Sequence, residues 1–175
     1  MPDEQAPAAT PTAPFLDALD RLDVGWTRTD AADLSAVLAD VVEPPAVGAP
    51  LPFEDLSLEG ADVVLDPTPA QIEAARTGVT AAHMAIADYG SILIRSRPDA
   101  TEAASLFADR HVAVLRASDL VPDMTAALGR LGPALRERPM STILATGPSA
   151  TADMGALVKG AHGPMSVHVI LVEDR

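Results

Sequence analysis

The sequence predicts an α/β protein, an open and mostly parallel sheet in a three-layer sandwich with helices. Two observations predict it. Thr142–Ala145 and Val167–Val172 are short and almost continuously apolar, as strands are when both faces of a parallel sheet are covered. Such strands also alternate with helical stretches of roughly 10–15 residues, the order that builds parallel sheets. At 175 residues the chain suffices for one domain with a real core.

Met1–Pro14 has four prolines and little to bury, which predicts a disordered tail before a single domain over 15–175. Phe15–Leu22 reads as a short helix. Asp30 then caps a stronger one, with Leu34, Val37, Leu38, Val41 and Val42 at i, i+3, i+4, i+7 and i+8. Glu43-Pro44-Pro45 ends that helix. Val47–Gly60 is turn-rich, Ala61–Leu65 reads as a short strand, and Thr68-Pro69 opens a brief helix through Arg76. Ser91–Ser96 and His111–Arg116 read as strands around a polar or helical stretch at Arg97–Arg110. Ser118 or Asp119 is expected to cap a helix carrying Leu120, Met124, Ala127, Leu128 and Leu131.

Chemistry concentrates between the last two strands. Thr146-Gly147-Pro148-Ser149 leads into an expected short helix with Ser149 and Thr151 at its start and Asp153 in or just after its first turn. Met154, Leu157 and Val158 would share one face, with Gly160 as the stop. Backbone N–H groups at such a start attract anions, so Gly147, Ser149, Thr151 and Asp153 are candidates to hold a small carboxylate or phosphate. The plainer reading is a well-capped helix.

His162, framed by glycine and proline, is a candidate general acid/base or neutral donor, or a residue that holds its turn, and Asp153 is a separate catalytic candidate. Asp88 and Ser91 flank a turn before a strand and are expected in the same cleft; the plainer reading is a turn with a left-handed glycine and an exposed Tyr89. His111 reads as structural and His83 receives no role. His162 and His168 lack metal-site spacing and a third ligand, so no metal is expected.

Composition excludes several classes. The chain has no cysteine, hence no disulfide and no thiolate for a metal or an iron–sulfur cluster. No apolar run reaches the roughly 18–20 residues of a membrane span. The acidic, proline-rich start is unlike a signal peptide, which leads to the expectation of a cytoplasmic protein. With net charge −13 and no basic patch, a nucleic-acid partner is not expected. Eleven of the 12 basic residues are arginine and 17 of the 25 acids aspartate. This acidic surface reads as adaptation to a high-salt cytoplasm, where repulsion is screened, or as an ordinary acidic protein. No G-x-S-x-G elbow, G-x-x-x-x-G-K-[ST] loop or G-x-G-x-x-G turn occurs.

The segments TGPSATAD and GAHGP resemble the C-terminal hallmark of the LUD (lactate-utilisation) domain family, and AIADYGS at Ala85–Ser91 resembles a second family motif. Asp119-Leu120-Val121, after a His-containing strand, also fits. Ala150 stands where the family usually has Arg, Gly155 where it has Glu, and Tyr89 where it has Thr. The likeness covers Gly78–Arg175 well and the first half poorly. It implies a Rossmann-like sheet similar to that of ribose-phosphate isomerases and CoA transferases. It also implies an accessory or ligand-binding role in oxidation of L-lactate to pyruvate, beside separate iron–sulfur subunits. The alternative is a stand-alone isomerase- or transferase-like enzyme acting on a small phosphorylated or CoA-linked substrate.

Overall fold

The computed structural model describes residues 11–137, 139–152 and 155–174. In chain order its elements are α1 (Thr12–Arg21), β1 (Gly25–Asp30), α2 (Leu34–Val41), β2 (Ala46–Gly48), β3 (Val64–Leu65) and α3 (Pro69–Glu73). Then come β4 (Thr77–Ala82), β5 (Met84–Ile86), β6 (Ser91–Arg95), α4 (Thr101–Phe107) and β7 (Arg110–Arg116). The chain finishes with β8 (Leu120–Val121), α5 (Met124–Glu137), β9 (Thr142–Thr146), β10 (Ala150–Thr151), β11 (Val158–Lys159) and β12 (Ser166–Glu173).

The central sheet has six strands in the order β1-β12-β7-β4-β2-β3, and every pair in it is parallel. Its middle strands are buried on both faces, hence their unbroken apolar runs. One face carries Val79, Val112, Val114, Ile170 and Val172, packed against Leu34 and Leu38 of α2. The other carries Ala113, Leu115, Val167, Val169 and Leu171, which meet Phe15 and Leu19 of α1 together with Ile92 and Ile94 of β6.

That second face is covered largely by another sheet, ordered β8-β5-β6-β9. After β4 the chain passes through His83 into β5, and β6 returns antiparallel to β5 with Ile86 opposite Ser91. Met84, Ile86 and Leu93 on the far side of this sheet pack under Ala127 and Leu131 of α5. The adjacent strands β2 and β4 mark a topological switch point: the chain leaves β2 towards β3 and leaves β4 towards β7, on opposite sides.

Four expectations are corrected. Thr142–Ala145 belongs to β9, at the edge of the second sheet and antiparallel to β6, not to the parallel sheet of Val167–Val172. A short apolar run looks the same whether one face or two are covered, and here Leu144 is exposed while Ile143 and Ala145 face the core. Leu120 lies in β8, and the following helix starts at Met124 with Asp123 Oδ1 accepting from Ala126 N at 2.8 Å, so neither Ser118 nor Asp119 is its cap. The first helix starts at Thr12, within the stretch expected to be a tail. Asp30 ends β1, and its Oδ1 accepts from Asp33 N at 3.0 Å in the turn before α2.

Candidate functional site

A fifth correction concerns the segment after β9. Among the described residues no helix follows Ser149. Gly147 turns the chain at φ +73°, and Ala150 and Thr151 pair antiparallel with Lys159 and Val158. The described residues therefore offer no helix start at Ser149 to hold an anion. A helix of that length is marginal unless its apolar face is buried, and Leu157 and Val158 are exposed. Gly155, inside the expected helix, adopts φ +79°, which suits a looped hairpin rather than a helix. Asp153 and Met154 lie outside the described residues.

Ser149 organises this lobe. Its N–H donates to Pro164 O at 2.9 Å, its carbonyl accepts from Gly160 N at 2.9 Å, and its Oγ accepts from His162 N at 3.3 Å. His162 itself is exposed and Thr151 half-buried. Lys159 Nζ reaches Asp23 Oδ2 at 2.7 Å and ties the lobe to the body.

The upstream motif meets it one strand away. Gly90 takes φ +66° after exposed Asp88 and Tyr89, and buried Ser91 Oγ lies 2.7 Å from Thr146 Oγ1. Both motifs thus reach the amino edge of the central sheet. Gly90 and Gly147 adjoin Val24 and Val167 around a gap of about 10 Å³, space for no more than one water.

The larger space is at the opposite edge. A cavity of about 640 Å³ lies where β2, β4, β6 and β7 end. It is lined by Pro52 and Phe53 beyond β2, His83 beyond β4, Arg95 to Pro98 at the end of β6, Asp119 beyond β7, and Pro139 and Met140 before β9. Arg95 Nε and His83 Nδ1 are buried and have no hydrogen-bond partner among the described residues. Burial first, then Arg95 and Arg97, lower the His83 pKa to about 4, with Asp99 opposing. Arg97 Nε contacts Asp99 Oδ2 at 3.0 Å, and Asp119 is paired with Arg130.

Sequence reasoning missed this cluster. His83 and Arg95 are neighbours only because β5 and β6 fold back on each other. The available signal was Arg95-Ser96-Arg97-Pro98 directly after an apolar strand, in a chain with only 12 basic residues.

An all-parallel central sheet with a switch point and a cavity at its carboxyl edge defines a Rossmann-like α/β protein. The LUD domain model matches residues 64–172, and the chain belongs to that family. It is 32% identical over 166 residues to lactate utilization protein C of Deinococcus radiodurans, covering 86% of this chain and 75% of that protein. It is 33% identical over 107 residues to lactate utilization protein C of Bacillus subtilis, covering 59% of this chain but only 45% of the relative. A crystal structure of a DUF162 family protein from Deinococcus radiodurans shares the fold, with TM-score 0.73, 22% identity and coverage of 95% and 99% of the two chains.

Proposed function

We propose that this protein serves lactate utilisation, as an accessory or ligand-binding subunit that works with separate iron–sulfur subunits in oxidising L-lactate to pyruvate in the cytoplasm. The observation that carries this reading is the similarity to the Deinococcus lactate utilization protein C, which extends over 86% of this chain and 75% of the relative. The composition supports it. Without cysteine the chain has no thiolate for a cluster, so any electron-transfer centre of the thiolate type resides in a partner. The lobe around Ser149 exposes Leu157, Val158 and Met165, apolar surface that suits a protein contact better than solvent.

The test is affinity isolation of the tagged chain from cells grown on L-lactate. Cysteine-rich partners should accompany it, and the isolate should reduce an artificial electron acceptor with L-lactate while the purified chain alone does not. Lactate oxidation by the chain alone, or undiminished growth on L-lactate after its deletion, would overturn the reading.

A further inference from the structure

We propose that the cavity at the carboxyl ends of β2, β4 and β7 binds a phosphorylated small molecule, its phosphate held by Arg95 and Arg97 beside His83 and its body against Phe53 and Met140. The site is independent of the lactate-utilisation role.

Position is the first argument. In open α/β sheets ligands bind beyond the carboxyl ends of the strands at a switch point. The cavity is lined from the segments that leave β2 and β4, the two strands that form that point.

Charge is the second. The chain carries −13, yet two arginines and a histidine converge here. Asp119 is the one carboxylate among the lining residues, and Arg130 already engages it. Arg95 has no ion pair among the described residues. Arg116, whose Nε is also unpartnered, lies 4.8 Å from the Phe53 ring centroid on the flank of the cavity.

Unsatisfied donors are the third. A buried polar group without a partner is costly, and native proteins usually supply one from protein, water or ligand. Arg95 Nε is a donor, and a neutral imidazole can carry its proton on Nδ1. Both belong to side chains that line the cavity.

Valence and size then choose the guest. The Arg95 fork, the terminal nitrogens of Arg97, whose Nε is held by Asp99, and an imidazole offer more donors than one carboxylate can accept, whereas a phosphate monoester presents three oxygens and about −1.5 to −2 charges. A volume of about 640 Å³ lies in the range of cofactor-sized ligands and exceeds what a three-carbon acid fills.

The measurement is titration calorimetry on the full chain in concentrated KCl with adenosine monophosphate, inorganic phosphate and L-lactate. The nucleotide should bind most tightly, phosphate less so and lactate least. Arg95→Ala should weaken the nucleotide about tenfold or more, Arg95→Lys less, and the remote surface variant Arg28→Ala not at all. Burial first, then the field of Arg95 and Arg97, holds the His83 ring neutral, with Asp99 and Asp119 as the other charged groups near it. An anion between them reverses that field. The wild-type His83 ring should therefore take up a proton on nucleotide binding between pH 4 and 6.5, seen in its NMR shifts. That readout decides the matter if Arg95→Ala fails to fold. Lactate binding as tightly as the nucleotide, loss of affinity equal in Arg28→Ala and Arg95→Ala, or an unmoved His83 ring would overturn the assignment. The isolation experiment on lactate-grown cells is unaffected by any of these results.

Discussion

The hydroxyls of Ser91 and Thr146 lie 2.7 Å apart, joining two motifs that are 55 residues apart in sequence. They are also directly opposite one another in the antiparallel ladder of β6 and β9. Ser91→Ala should lower stability by about 0.5–1.5 kcal/mol. A double-mutant cycle with Thr146→Val in urea should return a coupling energy of at least about 0.5 kcal/mol. Strict additivity would mean that the two hydroxyls do not depend on each other.

A second expectation concerns acid. His111 is fully buried on β7 with Nε2 2.9 Å from Thr80 Oγ1, and desolvation lowers its pKa from 6.5 to about 4. Its folded pKa lies below the unfolded one, so between pH 6.5 and 4 the unfolded chain takes a proton that the folded chain refuses. Stability is complete above that window and declines through it as pH falls, by up to about 3 kcal/mol from this group alone. His83 and His168 shift in the same direction, also to about 4. Urea midpoints at neutral pH and at the acid end of the window check this, and His111→Gln should flatten the slope.

Gly78 offers a steric test. A Cβ built there would sit 1.7 Å from Ala104 O, because α4 crosses β4 at that residue. Gly78→Ala should destabilise by about 3 kcal/mol or more, since backbone has to move on one side or the other. Gly129→Ala has open space and should be neutral or mildly stabilising. Equal thermal shifts in the two variants would contradict the packing of α4.

Salt should matter as much as any single residue. The chain bears −13, and pairs such as Arg28–Glu173 at 2.6 Å and Arg76–Glu43 at 2.8 Å are exposed, so they offset little of the mutual repulsion. We propose that the protein is adapted to high salt, and its Tm should rise steadily from dilute buffer to molar KCl. A constant Tm would exclude that adaptation.

The parts of the fold legible in the sequence are those where local pattern and burial agree. Val167–Val172 reads as a covered strand and is one. Thr68-Pro69 reads as a helix start, and Thr68 and Gln71 form a full capping box. Gly90 reads as a left-handed turn and has φ +66°. The parts that were not legible depend on partners far away in sequence. Thr77–Ala82 is rich in small residues and becomes a buried strand only because α4 and β7 close over it. The serine, threonine and glycine pattern after β9 suits a capped helix as well as a hairpin, and pairing with Val158 and Lys159 decided between them. The carboxyl-edge cavity needs the β5–β6 reversal, which no local spacing announces.

β12 has a kinetic consequence. It lies between β1 and β7, and β1 makes its ladder with β12 alone, Gly25 opposite His168. During synthesis β1 emerges early and stays without its neighbour until residues 166–173 have left the ribosome. The sheet cannot zip progressively behind the growing chain; it closes late, through contacts of very high sequence separation. Slow folding and a reliance on protection of the nascent chain follow from that one strand position.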